Sequence, residues 1–213
     1  MELGVVSGNR VVFVGTGRYL GSTDLSDPAS LATPLGWAYQ QSVYAIKDKG
    51  TNYGNVRSAS PGLVQQTMTD TSGSRTISTN AVNWAVKDGW YVDLNPASKS
   101  PGERVNLDPQ LQLGTLLVLT NVPNNSACTV GGDSFVYQFN YSSGLAISTS
   151  PGGLVGSKTT GQIAVGFVVI RLPSGALKQI VTGATGSKST SAVFTGGSGA
   201  TPRRTSWREL LQQ

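Results

Sequence analysis

Short runs of β-branched and other apolar residues recur along this chain, and turn-forming residues interrupt each of them. The 213 residues include 27 Gly and 10 Pro, whereas only 13% of residues are charged. Such runs are typical of strands, because β-branched side chains pack well on a pleated surface while Gly and Pro favour turns. No window of helical length keeps a convincing 3.6-residue period. The pattern therefore favours an all-β protein over a helical or disordered one.

The runs predict a series of short strands with long loops between several of them. The predicted strands cover residues 10–14, 42–47, 63–69, 81–87, 89–94, 103–107, 115–122, 134–141, 162–172 and 176–181. Pro173, Ser174 and Gly175 predict a hairpin turn between the last two strands, because Pro and Gly preset the turn geometry. Residues 22–40 and 49–62 are loops by composition, and binding usually resides on long loops carried by a rigid scaffold.

A faint internal repeat links two parts of the chain. Residues 11–16 followed by 42–46 parallel residues 116–121 followed by 134–139. In each pair an apolar strand is followed, after a loop, by a strand centred on an aromatic residue and then by a polar turn. Two such units fit neighbouring blades of a β-propeller, in which each sheet buries its faces against the next. The repeat therefore predicts antiparallel sheets arranged as part of a propeller.

Composition divides the chain into three predicted parts. They are propeller blades in residues 1–181, a mobile Gly/Ser/Thr-rich loop in residues 182–202, and a C-terminal closing segment in residues 203–213. In the closing segment, Ser206 and Glu209 fit the capping box of a short helical turn. The alternative is a closing strand over residues 205–210 with Trp207 facing inward. A partial propeller would leave strand edges unpaired, so we expect either upstream blades in a parent protein or a smaller arrangement.

The composition argues against most catalytic chemistry. The chain contains no His, which is the commonest general base and metal ligand. Gly15, Gly17 and Gly21 have the wrong spacing for a dinucleotide-binding fingerprint, and Asp27-Pro28 stands where its helix would run. Eleven scattered acids do not define a catalytic carboxylate pair. We therefore expect no catalytic, cofactor-binding or metal-ligating residue in this chain.

Positive charge is concentrated late in the sequence. Residues 1–150 contain nine Lys and Arg against ten acids, whereas residues 151–213 contain seven against one acid, Glu209. Such a basic segment can attract nucleic acid, anionic glycan or a membrane surface. Without basic-aromatic interleaving or a nucleic-acid-binding motif, we expect no nucleic-acid partner. The plainer interpretation is that these cations keep a Ser/Gly-rich loop soluble.

Two further features concern export. Cys128 is the only cysteine, so its partner lies outside this chain or the thiol is free and buried. The longest apolar stretch, residues 163–170, is too short for a membrane helix, so we expect no transmembrane segment. The residues after Met1 do not fit a signal peptide, so if the protein is exported, its signal is expected upstream.

An ordered series of short motifs resembles one protein family over nearly the whole chain. The motifs are residues 13–21 (FVGTGRYLG), 41–48 (QSVYAIKD), 89–94 (GWYVDL), 102–105 (GERV), 120–123 (TNVP), Cys128 with Gly131-Gly132, and residues 204–210 (RTSWREL). Any one block is weak, but their shared order is specific. The series resembles the C-terminal domain of the PilY/PilC-type factors that assemble and tip bacterial type IV pili.

The resemblance implies a β-propeller domain in a much larger exported protein, of which this chain would supply the closing blades. It implies a non-enzymatic structural and interaction module that supports pilus biogenesis, surface attachment and twitching motility. Minor pilins and host or abiotic surfaces would be its partners. Its place would be the pilus tip, the outer membrane surface or the extracellular space. The alternatives are a quinoprotein-type propeller enzyme and a glycan-binding lectin module.

The family's propeller also carries a calcium loop of Asp-x-Asp-x-Asn type, and hard cations require such closely spaced oxygen ligands. Residues 24–27 and 88–93 lack that density of acids and suit turns or caps better. Any calcium site is therefore expected upstream in the parent protein.

Several single residues have a structural and a functional interpretation. Trp84, Trp90 and Trp207 are expected to pack in the core, although they could form a sugar-stacking face. Tyr44 and Tyr137 are likewise expected to be packed. For Arg18 and Arg104, pairing with Asp24 or Asp93 is favoured over binding an acidic partner.

Overall fold

The computed structural model describes residues 1–17, 22–27, 30, 39–58, 60–124 and 131–196. Within these ranges the strands form three sheets. The five-stranded sheet has the order β1 (Glu2–Val6), β2 (Asn9–Gly15), β3 (Ser42–Lys47), β7 (Gly89–Asp93) and β4 (Val64–Gln66). All strand pairs in the three sheets are antiparallel except β4 with β7.

The seven-stranded sheet is the largest of the three. Its order is β5 (Met68–Thr71), β6 (Ser74–Ile77), β12 (Leu154–Thr159), β11 (Gly132–Asn140), β10 (Thr115–Pro123) and β8 (Arg104–Val105), with β9 (Gln110–Gln112) also paired to β10. The three-stranded sheet consists of β13 (Ala164–Arg171), β14 (Leu177–Gly183) and β15 (Lys188–Val193). The prediction of an all-β protein with antiparallel sheets is confirmed.

The seven-stranded sheet lies between the other two sheets. Side chains of β10 alternate between its faces, as in any strand. Leu116 and Val118 join a core cluster with Phe13 of the five-stranded sheet, whereas Leu117 packs with Leu177 of the three-stranded sheet. Burial on both faces explains why β10 reads as a continuous apolar run without polar alternation.

The internal repeat corresponds to two antiparallel strand pairs. β2 pairs with β3, placing Phe13 opposite Ala45, and β10 pairs with β11, placing Val118 opposite Tyr137. All four side chains belong to the same buried cluster between the two sheets. The described residues thus form stacked sheets, while their arrangement around a propeller axis stays a prediction.

Two predictions about local structure are wrong. Residues 81–87 form a turn in place of a strand, because the Asn83 side chain accepts a hydrogen bond from the Ala85 amide at 3.0 Å and its carbonyl accepts one from Lys87. Within the predicted loop 182–202, β14 continues to Gly183 and β15 forms a second strand. β15 is rich in Ser and Thr, but β14 supplies backbone partners along its whole length. Residues 203–213 lie outside the described part of the chain.

Candidate functional site: the outer face of the five-stranded sheet

The glycine motif at the end of β2 is used for close packing. A side chain on Gly15 would lie 2.5 Å from the Val105 side chain, and one on Gly17 would lie 1.6 Å from the Val105 carbonyl oxygen. The Val105 amide in turn donates to the Thr16 carbonyl at 3.0 Å. These glycines therefore admit the β8 backbone beside β2, which gives a structural reason for the motif.

The predicted binding loop 49–62 reaches the outer face of the five-stranded sheet, defined here as the face turned away from the seven-stranded sheet. All of this loop except residue 59 is described, whereas most of the other predicted loop, 22–40, lies outside the described residues. On the outer face, Ser42 lies opposite Asp93 and Tyr44 lies opposite Tyr91 across β3 and β7. Their neighbours in sequence point into the core, as strand alternation requires.

Arg57 from this loop connects the four outer-face side chains. Its Nη2 donates to Asp93 Oδ1 and to Ser42 Oγ, each at 2.6 Å, and its Nε donates to the Tyr44 hydroxyl at 2.8 Å. The guanidinium carbon lies 4.4 Å from the centre of the Tyr91 ring. Planar Arg is suited to such a combination of forked hydrogen bonds and ring stacking. We call these five residues the Arg57 cluster.

The electrostatics of the Arg57 cluster keep its cation charged. Burial alone would lower the pKa of Arg57, but the hydrogen bond and attraction to Asp93 and the hydrogen bond to Tyr44 raise it above its ordinary value. Burial also raises the pKa of Tyr91, while the nearby positive charge of Arg57 opposes this effect. The cluster thus combines an Arg57–Asp93 ion pair with two tyrosine rings, a combination suited to recognition.

A second polar cluster is buried in the seven-stranded sheet, around Arg75. Its Nη1 donates to Glu103 Oε2 at 2.7 Å and its Nε to Asp70 Oδ2 at 2.9 Å. Nη2 donates to Ser100 Oγ at 2.8 Å, and Nη1 also contacts the Tyr137 hydroxyl. Glu103 Oε1 accepts from Tyr137 and, at 2.6 Å, from Thr120. Each guanidinium nitrogen of Arg75 and each carboxylate oxygen of Glu103 thus has a hydrogen-bond partner, as buried charges require.

The buried cluster has a structural role. The side chains of Arg75 and Glu103 are inaccessible to solvent, and the Arg75 guanidinium lies 3.5 Å from the centre of the Phe135 ring. Burial would raise the pKa of Asp70, but hydrogen bonds from the Gly73 amide and Arg75 lower it overall. The contacts join β5 and β6 to β10, β11 and the segment before β8.

The aromatic residues singled out from the sequence differ in their burial. Trp84, Trp90 and Tyr137 are buried, which confirms the packing interpretation for them. The Trp84 and Trp90 indoles donate to backbone carbonyls of Ser142 and Tyr141. Tyr44 is only partly buried and belongs to the Arg57 cluster, so its prediction as a packed residue is incomplete.

Arg104 lies beside Asp24, because its Nη2 donates to the Asp24 backbone carbonyl oxygen at 2.8 Å, while a pairing of the two charges stays a prediction. Asp93 pairs with Arg57, a residue that the sequence analysis did not consider. Arg18, Cys128 and Trp207 lie outside the described residues. The sequence analysis did not identify Arg57 or Arg75. Arg57 lies within the loop 49–62 and Arg75 lies within β6, and the sequence around each contains no motif that indicates a role.

Metal and membrane sites were also sought among the described residues. No three acidic, His or Cys side chains come together there in a way that could hold a metal ion. In the same part of the chain, no helix has both the length and the apolar character to cross a membrane.

Comparisons with known proteins agree with the motif series. No family model matches the chain. The chain is 30% identical, over 97% of its length, to the type IV pilus biogenesis factor PilY1 homolog of Xylella fastidiosa. It is also 30% identical, over 61% of its length, to the type IV pilus biogenesis factor PilY1 of Pseudomonas aeruginosa. It spans only 17% and 13% of these two relatives.

The comparison of folds agrees with the sequence comparisons. The crystal structure of the Pseudomonas aeruginosa PilY1 C-terminal domain superposes with a TM-score of 0.61 at 20% identity, covering 92% of this chain and 44% of that domain. The stacked antiparallel sheets therefore have the fold of part of that domain. The chain belongs to the PilY1 family, and it corresponds to part of the family's C-terminal domain.

Proposed function

We propose that this chain is part of a type IV pilus biogenesis factor, in which it acts as a structural and interaction module and not as an enzyme. The observation that carries the proposal is the match to a PilY1 homolog along 97% of the chain. The neutralised Asp93 and the buried Arg75 cluster support a role in recognition and stability, since neither cluster offers a free acid or base.

In the parent protein, the stacked sheets form blades of a β-propeller. The parent is exported and acts at the pilus tip, the outer membrane surface or outside the cell, where it supports attachment and twitching motility. Its partners are pilus components such as minor pilins, together with host or abiotic surfaces. Any calcium that the parent binds is held upstream of this chain.

Within this module, the outer face of the five-stranded sheet is the proposed contact surface. Tyr44 and Tyr91 stack with their ring centres 5.9 Å apart and stay partly exposed. Rigid aromatic rings beside an anchored Arg are common at the centres of protein interfaces, because they bury much area at a low entropic cost.

The test is a deletion of this segment from the parent protein in its own bacterium. We expect fewer surface pili by electron microscopy and weaker surface attachment, at equal amounts of parent protein by immunoblot. A Tyr44→Ser/Tyr91→Ser variant should reproduce part of the defect, whereas the exposed turn variant Val86→Ser should behave as wild type. Normal pilus display and attachment after the deletion would overturn the proposal.

A glycan-binding role is the second candidate, because partly exposed tyrosines beside Arg57 and Asp93 resemble a sugar-binding platform. However, the Arg57 guanidinium lies over the Tyr91 ring and occupies the face that a sugar would stack on. A glycan array with the purified chain distinguishes the two roles, and saturable binding that is lost in Tyr44→Ser would favour the glycan.

A further inference from the structure

The three-stranded sheet has one face on the seven-stranded sheet and one face exposed to solvent. On the exposed face, Val168 is 55% and Ile170 is 39% accessible. Ile170 lies beside Lys178 across β13 and β14, and Val168 lies beside Ile180. On the far strand, Thr190 is opposite Ile180 and Ala192 is opposite Lys178, while Lys188 is opposite Thr182. We call the face formed by Val168, Ile170, Lys178, Ile180, Lys188, Thr190 and Ala192 the basic face.

The register places its two lysines at opposite ends of an apolar centre. Lys188 is paired with Thr182, which is four residues beyond Lys178 on β14. At roughly 3.3 Å per residue, the lysines are about 13 Å apart along the strands and one strand apart across them. Ile180 and Val168 lie in the row between them.

The cations of this sheet differ from the others in the described part of the chain. Arg171, Lys178 and Lys188 make no ion pair there, and residues 161–196 contain no acid at all. The remaining described Lys and Arg side chains each contact an acid or a carbonyl oxygen, namely Arg10, Lys47, Lys49, Arg57, Arg75, Lys87, Lys99, Arg104 and Lys158. Among the described residues, positive charge without an ion pair is therefore concentrated on this one sheet.

We propose that the basic face binds an acidic partner protein. The partner contributes an extended segment with two carboxylates four residues apart and an apolar residue midway between them. In an extended segment, residues i, i+2 and i+4 point to one side, and the outer two are about 13 Å apart. The carboxylates then meet Lys178 and Lys188, while the middle residue covers Ile180 and Val168. Exposed apolar area with complementary charge at its rim is the usual composition of a protein contact.

This inference goes beyond the proposed pilus function and does not rest on it, because it uses only the charges and register of the three-stranded sheet. Failure of the binding test below would leave the deletion test of pilus display unaffected, and the reverse also holds.

The test measures binding of a synthetic peptide with the central sequence Glu-Thr-Leu-Thr-Glu to the full chain. Binding is monitored by NMR chemical-shift changes of the protein during titration with the peptide. We expect saturable binding with shifts confined to β13–β15, weakened roughly tenfold in Lys178→Glu/Lys188→Glu. Arg10→Glu makes the same kind of charge change on the five-stranded sheet and should bind as wild type. Val168→Ser should weaken binding, whereas Val86→Ser, at a position of similar exposure, should not.

Four outcomes would overturn the proposal. They are no saturable binding of the peptide, unchanged binding in the double lysine variant, equal binding of a peptide with Gln in place of both Glu residues, and binding of heparin or phosphatidylglycerol vesicles in place of the peptide. Circular dichroism spectra and melting curves of each variant identify any unfolded protein. If the double lysine variant is unfolded, Val168→Ser and the Gln peptide still decide the question.

Discussion

Arg75 Nη1 lies 2.7 Å from Glu103 Oε2, and both side chains are fully removed from solvent. Arg75 also pairs with Asp70, so the loss of Glu103 acts mainly by leaving buried donors of Arg75, Thr120 and Tyr137 without their acceptor. The pair also joins β6 to the segment before β8, 28 residues apart in the sequence.

Glu103→Gln should lower the free energy of unfolding by about 3 kcal/mol or more, since buried donors contact both carboxylate oxygens and the NH₂ group of Gln cannot accept from them. Urea denaturation followed by tryptophan fluorescence measures this change. Asp133→Asn is the matched control, because it removes the acid of the partly exposed Lys158–Asp133 pair and should cost less than about 1 kcal/mol. Equal losses in the two variants would contradict the assigned role of the buried cluster.

Acid stability should depend on Asp70. Burial raises its pKa, but the Gly73 amide and Arg75 lower it overall. A carboxyl whose folded-state pKa is depressed adds stability above its unfolded pKa of about 3.9, and that stability is lost as pH falls through the folded-state value. The free energy of unfolding, measured by denaturation at several pH values in this acidic range, should therefore decrease less with falling pH for Asp70→Asn than for wild type. An unchanged pH dependence would contradict the prediction.

Gly17→Ala should destabilise the fold by about 1–3 kcal/mol, because its new side chain would overlap the Val105 carbonyl oxygen. Thermal melting of the purified chain gives the measurement. Gly166→Ala is the control, since no atom lies within 4 Å of the position where its side chain would begin. If Gly17→Ala melted like wild type, the close approach of β8 to β2 would be wrong.

Arg57→Gln should release the loop over residues 48–58 without unfolding the core. The variant loses the fork to Asp93 and the contact with the Tyr91 ring, so amide hydrogen exchange in the loop should quicken while exchange in β10 stays slow. Arg10→Gln serves as the control, because its side chain is 79% exposed and lies 3.7 Å from Asp48. Equal exchange in both variants would show that Arg57 does not hold the loop.

The sequence predicted the strands that consist of apolar runs bounded by turn residues. β3 has the predicted bounds, and β10 differs by one residue, because both are apolar runs that end at turn residues. β1 and β15 were missed, since Gly4 interrupts one and Ser and Thr dominate the other. Their strand conformation comes from backbone bonds to β2 and β14, which local composition does not report.

The candidate surface was predicted only in part. The loop 49–62 was identified from its composition and proposed for binding, which stays a prediction, but the side chain that it places on the sheet was not identified. Arg57 and Asp93 are 36 residues apart, and they meet because β3 and β7 are neighbours in the sheet. Pairings of this kind depend on strand order, and spacing along the chain contains no signal for them.

The two-sided burial of β10 has a consequence for how this region can diverge among relatives. Inserting or deleting a single residue within β10 would move the side chains beyond that point to the opposite face of the sheet. The packing against both neighbouring sheets would then be disrupted at once. Length variation should therefore accumulate in the connections around the strand, while its interior changes only through substitutions that preserve side-chain volume.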